Sequence, residues 1–212
     1  MLKTLKLMPV TLVSGIFALG TGDAVALDQY AGVSLGQAEV SDFCDGASAV
    51  GVECDDKAFT GRITAGGFIA KYLAFEGGYR YIDDTTADYQ VSVGGNTLGL
   101  EADVSYHMYD GSLLVFTPEW GPARFFAKAG AQFWYQKVEG SISVNGAKSS
   151  GSESETGVGF RTGLGAVFEF NQDFAVRAEW DYLKNIGDDY DADISNLESD
   201  MHIFSIGPEF RF

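Results

Sequence analysis

The sequence predicts an all-β fold, an eight-stranded antiparallel up-and-down transmembrane β-barrel. Two observations predict it: segment after segment alternates between apolar and polar residues with period two, and the connections alternate between long polar stretches and tight turns. Composition agrees, because 27 glycines, 4 prolines and 14% aromatic residues suit strands and turns better than helices.

The first 26 residues have the three zones of a secretory signal peptide. Lys3 and Lys6 precede an uncharged stretch over 7–22, and small residues at 24–26 provide a cleavage site. The alternative is a retained membrane helix, but the apolar stretch is interrupted and falls short of the roughly 20 residues that a span needs. We therefore expect cleavage after residue 26, which leaves residues 27–212 as one outer-membrane β-barrel domain.

Period-two alternation predicts eight strands. In chain order they lie near residues 29–40, 60–69, 72–82, 98–107, 123–137, 160–170, 174–182 and 204–212. The last is the clearest, because Phe204, Ile206 and Phe210 share one face while Ser205 and Glu209 share the other. Each segment is close to the roughly 9 to 11 residues with which a tilted strand crosses a bilayer.

The connections alternate in length. Long polar loops are predicted at 41–58, 83–97, 139–156 and 184–200, and tight turns at Ala70-Lys71 and over 171–173. Long loops at one end and short turns at the other are typical of outer-membrane barrels, with both termini on the periplasmic side. Residues 110–122 break the pattern, and we expect them either at the membrane interface or as an extension of a strand.

The polar face of the strands carries both signs of charge in near balance. A soluble barrel or sandwich, with its apolar face inward, is the alternative, but near balance is what an enclosed polar core requires, since an unpaired buried charge costs several kcal/mol. The opposite face offers aromatic rings for interfacial girdles, namely Tyr79, Tyr81, Tyr106, Tyr135, Trp180 and Tyr182. The predicted salt-bridge network of the lumen comprises Glu76, Arg80, Glu101, Asp103, Lys128, Arg161, Glu169, Arg177, Glu179, Glu209 and Arg211.

Two cysteines, Cys44 and Cys54, lie in one short segment rich in Asp and Gly. After export to an oxidising compartment, a disulfide within this loop is the economical interpretation, and it would stabilise the fold by roughly 2 to 4 kcal/mol. A pair of free thiols is the alternative.

Two stretches resemble the OmpA-like transmembrane domain family. The segment 73–79, Leu-Ala-Phe-Glu-Gly-Gly-Tyr, is similar to the third strand of these domains, and the end of the chain resembles the C-terminal signature read by the barrel-assembly machinery. The resemblance implies an inward Glu76 with Lys128, Arg161 and Arg177 as lumen partners. It also implies an assembly signal formed by Phe204, Ile206, Phe210 and Phe212. Because the chain ends at the barrel, a peptidoglycan-binding domain is not expected.

Charge distribution restricts the functions. The formal net charge of −16 argues against nucleic acid as a partner, since its phosphates would be repelled. The four long loops carry 17 acidic residues against three lysines, so nearly all of the imbalance faces outward. Such loops would meet anionic lipopolysaccharide through divalent cations, attract a basic partner, or act only as a solvated surface.

Metal binding and catalysis have weak signals. Asp189, Asp191 and Asp193 are spaced as in a calcium loop, with Asp200 at the closing position, but Ile194 replaces the glycine that the sharp turn needs. A solvated loop is the alternative to a weak calcium site.

For catalysis, Ser105 and His107 share the predicted inner face, but no motif there marks an activated nucleophile. His107 is expected to fill space on that face. His202 is expected to face lipid or the rim. No cofactor is expected.

We therefore predict a non-enzymatic barrel in the outer membrane of a Gram-negative cell. It would contact outer-membrane lipid and lipopolysaccharide, contribute to envelope integrity and present acidic loops to a host or surface ligand. Eight strands enclose only enough space for side chains, which disfavours a wide pore. A narrow gated channel and a lipid-modifying hydrolase are the alternatives.

Overall fold

The computed structural model describes residues 28–41, 53–54, 56–93, 96–145, 147–186 and 199–212. In these ranges every regular element is a β-strand. Among the described residues no helix is long and apolar enough to cross a membrane.

Eight strands form the body of the protein. They are β1 (Gln29–Val40), β2 (Lys57–Ala70), β3 (Leu73–Val93), β4 (Asn96–Phe116), β5 (Ala123–Val144), β6 (Ala147–Glu169), β7 (Phe174–Ile186) and β8 (Ser199–Arg211). A ninth segment of two residues, Glu53–Cys54, adds to β3 opposite Asp88 and Ala87.

The strands close into a ring. Each pairs antiparallel with the next along the chain, and β8 pairs with β1 in a register that sets Arg211 opposite Tyr30 and Phe210 opposite Ala31. At the seam, Gln29 N donates to Phe212 O over 3.2 Å and Phe212 N donates to Gln29 O over 3.0 Å. The predicted eight-stranded antiparallel barrel is therefore confirmed, and the ring satisfies the polar backbone edges that an open sheet would leave exposed.

Short connections gather at one end of the barrel, beside the seam. They are the turn at Lys71 and Tyr72, the segment 117–122 and the turn over 171–173. In the last of these, Asn171 Oδ1 accepts hydrogen bonds from the backbone N of Asp173 (3.0 Å) and Phe174 (2.9 Å), a local closure that favours Asn in turns.

Four strands run much further than predicted. β3 and β4 have 21 residues each, β5 has 22 and β6 has 23, whereas β1, β7 and β8 have 12 to 13. The interpretation of 83–97 and 139–156 as long loops is therefore wrong for their described residues. Their backbones stay paired as far as Val93 opposite Asn96 and Val144 opposite Ala147. At the second tip, Asn145 has φ 51°, a left-handed conformation that Asn tolerates.

Residues 110–122, which had no firm assignment, divide into two parts. Residues up to Phe116 continue β4, and the rest form the connection to β5. Phe116 N bonds Tyr72 O over 2.8 Å and Thr117 N bonds Phe125 O over 2.8 Å, so the strand extends to the turn end of the barrel. The second of the two expectations, an extension of a strand, describes this segment.

Strand faces differ in polarity as predicted for most of the ring. Outward side chains such as Leu35, Ile63 and Phe160 are apolar and exposed, the last by 71%, while Glu76 and Arg161 point inward and are buried. The wall thus carries its apolar side chains outside and its charged side chains inside, the reverse of a soluble barrel.

The orientation of β4 was predicted wrongly over residues 98–107. Val104 and Tyr106 are buried inside the barrel, where they join Met108, whereas His107 faces outward and contacts the rings of Tyr79, Tyr81 and Tyr135. The apolar residues of this segment were assigned to lipid. They lie at the loop end, where the interior becomes apolar. The apolar side of the alternation therefore faces the interior there and not the lipid.

Candidate functional site: the lumen and the projecting sheet

Ion pairs fill the middle of the lumen. Within the described ranges, the network joins five cationic side chains to five carboxylates, so the formal charges balance. Its members are Arg62, Arg80, Lys128, Arg161 and Arg177 with Glu76, Asp110, Glu179, Asp181 and Glu209. All lie on inward positions of β2 to β8, which the period of two aims at one space.

Asp181 and Glu179 occupy the centre of this network. Asp181 forms ion pairs with Arg80 (2.7 Å), Lys128 (2.7 Å) and Arg161 (2.6 Å). Glu179 meets Lys128 at 2.9 Å, and Arg62 at 2.9 Å. Each carboxylate is therefore shared among several cations, which is how buried charges are tolerated in the absence of water.

Glu76 and Asp110 extend the network toward β3 and β4. Arg177 Nη1 lies 2.5 Å from Glu76 and Arg62 Nη2 lies 3.0 Å from its other oxygen. Asp110 accepts from Arg62 at 2.6 Å and from Arg161. Arg177 also stacks on Phe126, with its guanidinium carbon 4.3 Å from the ring centroid.

Glycine makes room for these long side chains. A Cβ on Gly163 would lie 2.7 Å from Asp181 Oδ1 and 2.8 Å from Lys128 Cε. Since real Cβ atoms do not approach so closely, an alanine there would push the central ion pairs apart. The polar face of β6 therefore needs glycine at this position for packing.

Two apolar clusters close the lumen on either side of the ion pairs. At the turn end the cluster comprises Tyr30, Ala74, Leu114, Phe116, Phe126, Val167 and Ala175, with Phe68 packed against it. At the loop end it comprises Ala38, Val40, Ala58, Ile82, Val104, Tyr106, Met108, Trp134, Leu183, Ile186, Met201 and Ile203. A cavity of about 10 Å³ remains beside Arg62 and Arg177, about enough for one water. The described lumen is thus a packed interior.

A second ion-pair group lies at the turn-end rim. Arg124 Nε is 2.7 Å from Glu169, and Arg211 bridges Glu169 (2.6 Å) and Glu209 (3.2 Å). Through Glu209, which also meets Arg177 at 3.4 Å, the rim connects to the lumen network.

The structure divides the predicted network residues into two sets. Brought together in the lumen or at the rim are Glu76, Arg80, Lys128, Arg161, Glu169, Arg177, Glu179, Glu209 and Arg211. Glu101 and Asp103 lie elsewhere, which corrects their assignment to the lumen. On β4 their face points outward, where Glu101 binds Lys148 at 2.7 Å and Asp103 accepts from Thr86 Oγ1 over 3.0 Å.

Sequence reasoning left three network members outside the predicted set. Arg62 and Asp181 were on the polar face but were not chosen, and Asp110 was in the unassigned segment. Asp110 and Ser112 share the inward side with the buried Leu114, on the face of β4 that was assigned to lipid over 98–107, so extending the predicted alternation past residue 107 would have placed them outside.

Aromatic residues mark the outward surface just below the loop end. Tyr79 Oη lies 2.7 Å from His107 Nδ1, and His202 stacks on Trp180 with ring centroids 5.8 Å apart. On the next row toward the loops, Lys137 stands between Ser105 and Ser154, so the surface becomes polar within one row of side chains. This boundary is where an interfacial aromatic girdle is expected.

Beyond the girdle, β3 to β6 project as a four-stranded sheet, here called the projecting sheet (83–93, 96–105, 137–145 and 147–156). Its outward face is polar: Lys148 lies 2.7 Å from Glu101, and Lys137 lies 2.8 Å from Glu139. Hydrogen bonds from Lys148 and Ser141 lower the pKa of Glu101, and the bond to Glu139 raises the pKa of Lys137.

The inward face of the projecting sheet is apolar and exposed. Leu100 is 40% exposed and Ile142 is 52% exposed, although both continue the face on which Val104 and Tyr106 are buried. A cavity of about 820 Å³ lies against this face, lined by Tyr89, Leu100, Val138 and Ile142 among others.

The predicted disulfide and most of the predicted calcium site fall outside the described residues. Cys44, Asp189, Asp191 and Asp193 are in those segments, as is the side chain of Cys54, so both assignments stay predictions. Asp200 is described, and its carboxylate accepts a hydrogen bond from Tyr182 Oη. In the described ranges, no group of three His, Cys, Asp or Glu side chains is arranged to hold a metal.

A closed antiparallel ring with an apolar outside, an aromatic girdle and an ionic interior defines an outer-membrane β-barrel protein. The model of the OmpA-like transmembrane domain matches residues 24–212. The chain belongs to this family.

Among solved structures, the chain is similar to small outer-membrane barrels. Ail, the attachment invasion locus protein of Yersinia pestis, is 14% identical, with 87% of this chain and 99% of that chain covered and a TM-score of 0.46. Neisserial surface protein A is 18% identical over 87% and 97%, with a TM-score of 0.47. OprG from Pseudomonas aeruginosa is 11% identical over 88% and 95%, with a TM-score of 0.48. The curated proteins contain no significant match.

Proposed function

We propose that this chain is a non-enzymatic surface barrel that contributes to envelope integrity and presents acidic segments to partners outside the cell. The packed lumen is the observation that carries the proposal. Ion pairs occupy its centre, and apolar clusters with Trp134 on one side and Phe116 on the other close it. Such an interior has no space for a substrate and no water-filled path between its two ends, within the described residues.

Delivery and membrane setting form part of the same proposal. The N-terminal segment would act as a cleaved signal peptide, and the assembly machinery would recognise the outward Phe204, Ile206 and Phe210 with Phe212. Exposure of these side chains on β8 supports this, since a recognition signal must be accessible. Outer-membrane lipid would cover the apolar wall, and lipopolysaccharide would surround the aromatic girdle.

The partner of the outer segments would be basic, or bridged by divalent cations. The projecting sheet carries more carboxylates than lysines, and both of its lysines are already ion-paired. One of the similar solved structures is Ail in complex with the heparin analogue sucrose octasulfate. That ligand is an anion, and the acidic surface of this chain favours a partner of opposite charge.

A gene deletion tests the proposal in cells. Deleting the gene should raise uptake of a large hydrophobic dye and sensitivity to detergent, and a plasmid copy of the gene should restore both. Unchanged uptake and sensitivity after deletion would contradict the role in integrity.

Planar-bilayer recording separates this function from a gated channel. The packed lumen predicts no reproducible single-channel steps, and regular steps that disappear in heat-denatured protein would favour the channel. Mass spectrometry of lipid A from the same strains tests a hydrolase, for which the lipid profile should change with expression.

A further inference from the structure

The inward face of the projecting sheet contains a trough. The small residues Ala102, Gly140 and Gly151 pair in one row across β4, β5 and β6. Among the described residues, a Cβ added to either glycine would meet no atom within 4 Å, so no described side chain fills the space above them.

Two rows of larger side chains form the walls of this trough. The distal row, toward the hairpin tips, contains Tyr89, Leu100, Ile142 and Ser149. The proximal row, toward the barrel, contains Thr85, Val104, Val138 and Glu153. The walls are four residues apart along each strand, about 13 Å, and the four strands span about 14 Å across.

These dimensions fit one α-helix. A helix with side chains is about 10–12 Å in diameter, and about ten of its residues cover about 14 Å. The cavity of about 820 Å³ against the same face provides the volume for its side chains. Because the strands beneath are paired on both sides in β4 and β5, an occupant would be held by side-chain contacts and not by strand addition.

Charge around the trough selects the sign of the occupant. Glu153 and Glu155 lie on the same face as the trough, whereas both lysines of the projecting sheet, Lys137 and Lys148, lie on the opposite face. Below the proximal wall, Glu155 Oε2 is buried without a hydrogen-bond partner among the described residues, a buried acceptor that a cationic group would satisfy.

We propose that this trough is a docking site for a cationic amphipathic helix of a partner peptide, with apolar side chains on the Ala102–Gly140–Gly151 row and basic side chains toward Glu153 and Glu155. The inference rests on the proposed function and names the chemistry of the partner. The apolar walls bind the apolar side of the helix, and the surrounding carboxylates select its charge.

The trough is tested with protein refolded in nanodiscs of phosphatidylcholine, a lipid without net charge. The probe is a fluorescent 14-residue helix of leucine and lysine with all leucines on one side, and anisotropy reports binding after subtraction of empty nanodiscs. The wild type should bind it, and the same peptide with glutamate in place of lysine should not bind. Equal binding of both peptides, or no binding of the lysine peptide, would overturn the proposal.

Variants locate the site. Gly140→Phe fills the trough and Ile142→Ser removes an apolar wall, and each should weaken binding at least tenfold. Ser154→Phe adds the same ring to the opposite face of β6, outside the cavity lining, and should leave binding unchanged. Heat-modifiable migration on a gel checks that every variant is folded, and wild-type affinity in both Gly140→Phe and Ile142→Ser would overturn the site.

Two further outcomes separate this inference from the proposed function. If Glu153→Gln with Glu155→Gln abolishes binding while both trough variants bind normally, the acidic surface recruits the peptide and the trough does not, so the inference fails and the proposed function stands. A dimer in native mass spectra that Gly140→Phe dissociates would assign the face to a second copy, which also overturns the inference. The permeability of deletion strains is independent of all these results.

Discussion

Substitution of a single lumen residue is expected to reduce the stability of the barrel more than substitution of a similar surface residue, because lumen residues share ion-pair partners. Asp181 forms ion pairs with three cations, and its loss leaves all three with one carboxylate fewer in a buried interior. Asp103, on the outside of β4, contacts one threonine hydroxyl and is not enclosed. Two aspartates therefore contribute differently to stability, because one points into the barrel and the other points outward.

Asp181→Asn should destabilise the barrel strongly. It preserves volume and removes the charge, and breaking a buried ion pair from one side costs about 3–5 kcal/mol. Urea unfolding in lipid vesicles, followed by tryptophan fluorescence, measures the change. Asp103→Asn is the control and should leave the midpoint nearly unchanged. Equal midpoints for the two variants would show that the buried network contributes little.

Gly163→Ala should also destabilise, through packing alone. Its Cβ would press on Asp181 and Lys128, and overpacking of an interior costs about 1–3 kcal/mol. Gly61→Ala is matched, since its Cβ would face outward with only Leu35 Cδ2 nearby, at 3.7 Å. The same unfolding assay compares them, and a Gly163→Ala barrel as stable as Gly61→Ala would contradict the packing assigned to β6.

Among the elements, β1 and β6 show what the sequence can predict. The alternation over 29–40 coincides with β1, because polar and apolar residues alternate along it, although beyond Leu35 the polar Gln37 and Glu39 face outward and Ala38 and Val40 are buried. β6 was predicted from residue 160 but begins at Ala147, because its first half is rich in serine and glycine on both faces. Pairing with β5 holds that half in the sheet, and a single-strand pattern contains no information about a partner.

Two dipeptides within the predicted loops were the available sequence signal for the long strands. Gly94-Gly95 and Asn145-Gly146 are residues typical of two-residue hairpin turns, and they stand midway in the segments that were interpreted as loops. Using them would have extended all four strands. It would not have predicted which face of the extension points inward, since that depends on where the membrane ends.

β4 offers a direct test of this point. Spin labels at 106 and 107 should differ, because residue 106 faces the packed interior and residue 107 faces outward at the aromatic girdle. Power-saturation measurements with oxygen in lipid vesicles should show high accessibility at 107 and low accessibility at 106. Labels at Leu113 and Leu114, again outward and inward, are the control pair deeper in the wall. The reverse order at 106 and 107 would restore the orientation expected from the sequence.

At the scale of the whole molecule, closure of the strands into a ring makes the protein resistant to unfolding. Every barrel strand has two neighbours, and the β1–β8 seam joins residues at opposite ends of the described chain. Unfolding therefore cannot begin at a free edge. The sequence predicted the number of strands well enough to expect this, because the apolar alternation repeats eight times.

Closure predicts heat-modifiable migration on a denaturing gel. Unboiled protein refolded into detergent should migrate faster than boiled protein, since the closed barrel stays compact until heated. A variant lacking β8 is the control and should migrate at one position, boiled or not. A single position for the intact chain would contradict a closed membrane barrel.

The change of wall polarity next to His107 and Tyr135 also sets the depth of the protein. If the barrel sank by one strand residue, about 3.3 Å, Lys137 and its neighbours would enter the hydrocarbon, and if it rose by the same step, apolar rings such as Phe133 would meet water. Both displacements raise the free energy, so the barrel has one preferred depth in the bilayer. The projecting sheet is consequently held at a constant height above the lipid, whatever the surrounding membrane does.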